Sequence, residues 1–187
     1  MSLTLANKIT IARILAVPFF ITAVLSYTPK QDYLRYVALG VFLFAVLSDV
    51  VDGYVARTYH QKTQIGAIID PLADKVLLIS AFICLYAIAG QLAMDFPIWL
   101  VVGVLSRDFI LVVGSVLIFM FHGKLGVHVS VWGKATTFFQ GICVVGLLLQ
   151  WPWTSIFWYA AFVLTVISGV DYFWRGFNLL NTAAIKD

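Results

Sequence analysis

The stretch SDVVDGYVARTYHQKTQIGAIIDPLADK, residues 48–75, decides how this chain is read. It contains Asp49, Asp52, Asp70 and Asp74, in a sequence whose nine acidic residues are all aspartate. The surroundings are strongly apolar: 62% of the 187 residues are hydrophobic and 11% are charged. An ordinary soluble domain is about 25% charged. Mean hydropathy is +0.98. This is the composition of an integral membrane protein, and carboxylates at membrane depth are costly enough to mark a site.

A span needs about 20 mainly apolar residues. Working outward from the acidic stretch, six candidates emerge: Leu5–Ser26, Tyr33–Tyr59, Gly66–Gly90, Phe96–Phe121, Ser130–Leu149 and Thr154–Phe177. The expected fold is all-α, a polytopic membrane protein with six transmembrane helices in one bundle and residues 1–187 as a single domain. Pro29, Pro97 and Pro152 punctuate connections. Pro18 and Pro71 fall inside spans, where neighbouring helices can satisfy the backbone they disturb. No secretory signal is expected, because the first apolar run is long and lacks a small-residue cleavage site. Cys84 and Cys143 lie in apolar runs and read as small buried hydrophobes, not as a disulfide or metal pair.

Lys and Arg placement sets the orientation. With the N-terminus in the cytoplasm, Lys8, Arg13, Arg57, Lys62, Lys124, Lys134, Arg175 and Lys186 all fall at or near the cytoplasmic side. The outer connections keep Lys30 and Arg35. Both termini are expected in the cytoplasm, and so is the connection between Asp52 and Asp70. Trp99, Trp132, Trp151, Trp153 and Trp158 lie near span ends and read as interfacial anchors. The net charge of +3 is small, and no nucleic-acid partner is expected.

Helical spacing organises the acids. Asp49, Asp52, Gly53, Ala56 and Arg57 follow i, i+3, i+4, i+7, i+8 and form one stripe. Gly66, Asp70 and Asp74 follow i, i+4, i+8 and form another. A short connection makes the two helices antiparallel neighbours, and facing the stripes brings four carboxylates together. Such a cluster cannot stay ionised without cations. Arg57 and Lys75 are too few. Oxygen-only ligands favour hard divalent ions, Mg²⁺, Mn²⁺ or Ca²⁺, over Zn²⁺. A two-metal centre of this kind clamps phosphoryl oxygens during displacement at phosphorus. Gly53, Ala56 and Gly66 leave room for a bulky ligand, and Arg57 offers a fixed charge to a phosphate. The residues point to a metal-dependent reaction on a phosphorylated molecule at the cytoplasmic membrane surface.

The pattern Asp49-x2-Asp52-Gly53-x2-Ala56-Arg57-x8-Gly66-x3-Asp70-x3-Asp74 resembles the signature of the CDP-alcohol phosphatidyltransferases, with every fixed position filled. Asn7-x2-Thr10-x2-Arg13 is similar to the opening of bacterial phosphatidylglycerophosphate synthases. The resemblance implies attack of an alcohol hydroxyl on the lipid-side phosphorus of CDP-diacylglycerol, with CMP leaving. It implies two divalent cations, Mg²⁺ or Mn²⁺, on Asp49, Asp52 and Asp70. Asp74 lies near them as the general base for the acceptor hydroxyl. It places Asn7, Thr10, Gly53, Ala56, Arg57 and Gly66 at the CDP moiety. A homodimer is also implied by it, and the Lys and Arg placement puts the site on the cytoplasmic face of what is expected to be a bacterial cytoplasmic membrane.

The signature does not choose the acceptor. Asp70-Pro71-Leu72-Ala73-Asp74-Lys75 and the first helix look like the branch that uses glycerol 3-phosphate. Ser106-Arg107-Asp108 departs from the Arg-Glu common in phosphatidylglycerophosphate synthases and resembles the cardiolipin synthases, whose acceptor is phosphatidylglycerol. Gly133-Lys134-x2-Thr137-x2-Gln140 is similar in both. Both acceptors carry phosphate, so Arg107 and Lys134 are the candidate acceptor residues. The expectation is glycerol 3-phosphate, with cardiolipin synthesis as the alternative. Two other classes compete: a cation transporter lined by the aspartates, and a non-catalytic scaffold. A transport path should continue across the bilayer, whereas the outer halves of these spans are almost wholly apolar.

Several residues have plainer readings. Gly53 and Gly66 also suit helix packing, and Arg57 a positive-inside anchor. Arg107 and Asp108 are adjacent and should point in different directions from their helix. Arg107 then serves an acceptor, or it neutralises the carboxylate cluster or meets another helix. Asp171 and Arg175, at i and i+4, read as a local ion pair. His122 and His128 have no ligand partner at useful spacing.

Overall fold

The computed structural model describes residues 5–58, 66–92, 94–122 and 131–184, and for residues 5–10, 49–58, 66–74, 115–122 and 175–184 the backbone only. Six α-helices follow one another: α1 Leu5–Leu25, α2 Tyr33–Thr58, α3 Gly66–Ala87, α4 Ile98–His122, α5 Val131–Leu148 and α6 Thr154–Ala184. A 3₁₀ turn, Ala89–Gln91, follows α3. No strand occurs among the described residues.

The helices match the expected spans with displaced ends. α3 stops at Ala87, three residues short of the apolar run, because the chain tightens into the 3₁₀ turn, where Gln91 N–H donates to Ile88 O at 2.8 Å. α4 begins after Pro97, which fits only the start of a helix. α6 continues to Ala184, past the end of its apolar stretch, since helical hydrogen bonding does not depend on hydropathy. At the end of α5, Trp151 N–H donates to Gly146 O and Gln150 N–H to Leu147 O, with Gln150 at φ 53°. This is a Schellman cap, and Pro152 prevents continuation.

Several polar residues lie inside among apolar ones, and large apolar residues cover the outside. Arg13, Thr136, Gln140 and Thr154 are buried, while Phe19, Phe109 and Phe173 are each at least 70% exposed. A water-soluble monomer does not cover its helices in this way. By length and composition, Val131–Leu148 and Thr154–Trp174 are sufficient to cross a membrane. Ile11–Leu25, Tyr33–Ser48 and Lys75–Ala87 are apolar throughout the part of each helix whose side chains are described. The described residues are all-helical, and two clear span candidates lie among them.

Two compact units can be distinguished: Met1–Phe96 with Val144–Trp151, and Pro97–Cys143 with Pro152–Asp187. In the first unit α1 packs on both α2 and α3, and α2 also touches α3. Arg13, Ala16, Val17, Phe20, Ala23 and Val24 form the buried stripe of α1. Ala38, Phe42 and Ala45 form that of α2, and Leu77, Leu78, Ala81, Phe82 and Leu85 that of α3. Phe20 meets Phe42 with ring centroids 5.9 Å apart.

In the second unit α4 packs on α6. The contacts advance together along both helices. Gly103 lies under Phe162, Arg107 bonds Ser168, and Tyr172 Oη donates to Leu111 O at 3.3 Å. The two helices therefore run parallel. Two glycines permit the approach: a Cβ at Gly103 would stand 2.8 Å from Phe162 Cε2, and one at Gly114 2.8 Å from Tyr172 Cε1. Trp99 closes the same seam, stacked on Tyr159 and edge-on to Phe162.

Candidate active site

The site is assembled from helix register. On α2 the buried positions 38, 42 and 45 continue by alternate steps of four and three to Asp49, Asp52 and Ala56. On α3 the buried positions 81 and 77 run back by the same steps to Asp74 and Asp70. The acidic positions thus extend the stripes by which α2 and α3 meet their neighbours. The side chains of Asp49, Asp52, Gly53, Ala56, Arg57, Gly66, Asp70 and Asp74 lie outside the described residues, as do those of Asn7 and Thr10. Their helical positions are described.

α1 enters the site by the same geometry. The seven residues between α1 and α2 are too few to return to the start of α1, so the two packed helices are antiparallel. Phe20 opposite Phe42 fixes their register. Seven residues back along α1 and seven on along α2, roughly 10 Å of helix in each case, Arg13 comes level with Asp49. Thr10 likewise comes level with Asp52. Asn7 and Thr10 are thereby carried to the acidic end of α2, although they lie more than thirty residues away in sequence.

Arg13 is the residue that sequence reasoning undervalued, as a cytoplasmic-side charge. It is 0% exposed and continues the apolar stripe of α1. The available signal was its place three residues after Thr10 on a helical face. A buried arginine level with an acidic position contributes a cation that the four carboxylates need.

The second unit holds a different polar cluster. Arg107 Nη1 donates to Asp108 Oδ1 at 2.6 Å, and Arg107 Nη2 donates to Ser168 Oγ on α6 at 2.6 Å. The side chains of Arg107 and Asp108 are 8% and 3% exposed. Adjacency was expected to separate these two residues, and it does not. Their Cβ atoms diverge by about 100°, but the arginine stem is long enough to fold back onto its neighbour. Arg107 Nε has no acceptor among the described residues. Lys134 is exposed on α5. Thr136 Oγ1 donates to Leu164 O of α6 at 3.0 Å, Thr137 Oγ1 to Gly133 O, and Gln140 is buried. Cys84 and Cys143 are buried free thiols. Lys62, Lys124, His128 and Lys186 lie outside the described residues, as do the side chains of His122 and Arg175.

Comparison with known proteins settles the family. The model of the family described as CDP-alcohol phosphatidyltransferase matches residues 3–167. The chain belongs to the CDP-alcohol phosphatidyltransferase family. A relative from Mycobacterium tuberculosis, named probable phosphatidylglycerophosphate synthase, is 35% identical over 175 residues, covering 90% of this chain and 79% of the relative. A Bacillus subtilis protein, named CDP-diacylglycerol–glycerol-3-phosphate 3-phosphatidyltransferase, is 33% identical over 196 residues, covering 96% and 98%. A Yersinia enterocolitica protein of the same name is 33% identical over 193 residues, covering 100% and 98%.

As a CDP-alcohol phosphatidyltransferase the chain is an enzyme, and the family generally depends on a divalent metal. The donor set suits one. Asp49, Asp52, Asp70 and Asp74 supply oxygen only, on helices that share α1 as a neighbour, and hard divalent cations prefer such ligands.

Proposed function

We propose that this enzyme transfers a phosphatidyl group from CDP-diacylglycerol to the hydroxyl of glycerol 3-phosphate, giving phosphatidylglycerophosphate and CMP. One observation carries the acceptor assignment. The chain aligns over nearly its full length with proteins named for that reaction, at 33% identity across 96% and 98% of the two lengths in one case. The cardiolipin alternative rests on Arg-Asp at 107–108. Arg107 and Asp108 form a closed pair, and nothing in that pair selects phosphatidylglycerol.

In this reading Asp49, Asp52, Asp70 and Asp74 would hold two divalent cations, Mg²⁺ or Mn²⁺. When bound, these supply charge neutralisation at the pyrophosphate and at the departing CMP. Asp74 accepts the proton of the attacking hydroxyl as its oxygen forms the new bond to the lipid-side phosphorus. The bond from that phosphorus to the bridging oxygen breaks, and CMP leaves with that oxygen and its electron pair. Gly53, Ala56 and Gly66 leave space for the nucleotide, Arg57 faces its phosphates, and Asn7 and Thr10 close it from α1. Exposed Lys134 is the cation proposed for the acceptor's phosphate, and Arg107 could contribute only through Nε, the donor that Asp108 and Ser168 leave uncommitted.

The chain forms one catalytic domain with six membrane-crossing helices and both termini in the cytoplasm. It works as a homodimer in a bacterial cytoplasmic membrane with the site facing inward. The parallel course of α4 and α6 supports alternate crossing, in which α5 runs back between them. A family match that extends from α1 into α6 supports the single domain.

Purified enzyme should release CMP from CDP-diacylglycerol only with glycerol 3-phosphate and Mg²⁺ or Mn²⁺ present. Asp74→Asn should lose at least about a hundredfold in rate. Full activity in Asp74→Asn would remove its role as base.

A further inference from the structure

The end of α2 remote from the acidic motif carries a second cationic feature that the transfer reaction does not use. Arg35 lies in the first turn of α2 and is 7% exposed. Its Nη2 donates to Asp32 Oδ2 at 2.9 Å and to Tyr36 Oη at 3.3 Å. The guanidinium sits 4.9 Å from the centre of the Tyr36 ring. Nε and Nη1 are buried and find no acceptor among the described residues. A guanidinium normally commits its donors when withdrawn from water, and leaving them unsatisfied is costly. Lys30 is exposed nearby, and Tyr33 and Tyr36 are 61% and 55% exposed.

Position identifies the ligand class. From Arg35 to Asp49 and Asp52 the helix rises roughly 20–25 Å, against a hydrocarbon core of about 30 Å. With the acidic end at one membrane interface, Arg35 falls near the other, among tyrosines that suit head-group depth. Lys30, Asp32 and Arg35 together carry one net positive charge. We propose that Arg35 and Lys30 form a head-group site for an anionic phospholipid, one monoanionic phosphodiester, in the leaflet opposite the active site. The phosphodiester displaces the half-exposed Asp32 carboxylate and accepts from Nη2, the donor that Asp32 occupies. This inference rests on the membrane-spanning reading and not on the transfer reaction.

Substitutions on the two sides of the pair have opposite expected signs. Wild type, Arg35→Gln, Arg35→Lys and Asp32→Asn are purified in detergent and stripped of lipid. They are titrated with phosphatidylglycerol, phosphatidylcholine or inorganic phosphate, and bound lipid is counted by native mass spectrometry. Arg35→Gln should weaken phosphatidylglycerol binding by about five- to tenfold. Arg35→Lys should fall between it and wild type. Asp32→Asn, which removes the competing carboxylate, should tighten binding. Phosphatidylcholine, whose choline is repelled by the site, should bind more weakly than phosphatidylglycerol throughout, and inorganic phosphate should not saturate it. Equal phosphatidylglycerol binding by wild type and Arg35→Gln would overturn the proposal. So would weaker binding by Asp32→Asn, equal binding of the two lipids, or saturation by phosphate alone. CMP release by Arg35→Gln should equal that of wild type. Absence of CMP release from wild type would defeat the transfer reading and leave the lipid titration to be judged by itself.

Discussion

The buried pair on α4 makes a quantitative prediction about what joins α4 to α6. Arg107 and Asp108 are 8% and 3% exposed, with Nη1 2.6 Å from Oδ1. Removing one member of a buried ion pair costs about 3–5 kcal/mol, because the other charge stays in a low-dielectric surrounding. Replacing both by apolar side chains of similar size is often close to neutral. Arg107→Met alone and Asp108→Leu alone should therefore each destabilise by about that amount, while the double variant recovers most of the loss. In a chain of this size 1 kcal/mol moves Tm by about 2–4 °C. Each single variant should melt about 6–20 °C below wild type, and the double variant within a few degrees of it. Ser168→Ala removes one charge-assisted bond from Nη2, worth about 1.5–3 kcal/mol, and should fall between. Tryptophan fluorescence during heating in mild detergent reads all five proteins. A double variant whose loss equals the sum of the two single losses would refute the pairing, since partners that act together are not additive.

Three further outcomes follow from the same geometry. Gly103→Ala places a Cβ 2.8 Å from the Phe162 ring, which Trp99 hems in, so Tm should fall by an amount equivalent to about 1–3 kcal/mol. Gly141→Ala, where a Cβ meets nothing within 4 Å, should leave Tm unchanged or raise it slightly, and the pair is compared in one melting experiment. Chelation with EDTA should abolish CMP release, and added Mg²⁺ or Mn²⁺ should restore it.

Much of this was legible in the sequence, for physical reasons. Apolar runs of span length predict helices because the bilayer leaves few other ways to satisfy a backbone, and all six predicted helices are present. The spacing of the aspartates was decisive because a helix turns fixed intervals into faces. Hydropathy placed helix ends poorly: α6 runs on to Ala184 because its hydrogen bonds ignore the change in side-chain character. The Arg107–Asp108 pair was misread because spacing rules follow Cβ direction, whereas arginine reaches around its own helix. Arg13 was read as a cytoplasmic-side charge and as part of the Asn7-x2-Thr10-x2-Arg13 pattern, and its burial depends on where α2 and α3 lie. The parallel seam of α4 and α6 was hidden for a similar reason. Gly103 and Gly114 read as ordinary members of an apolar run until Phe162 and Tyr172 are seen over them.

One measurement addresses the central claim directly. The purified protein is given CDP-diacylglycerol and Mg²⁺ with glycerol 3-phosphate, phosphatidylglycerol, inositol phosphate or serine in separate reactions, and the lipid made is identified by mass spectrometry. The account predicts phosphatidylglycerophosphate with stoichiometric CMP in the first reaction and little product in the others. Cardiolipin from phosphatidylglycerol, with no phosphatidylglycerophosphate from glycerol 3-phosphate, would contradict it.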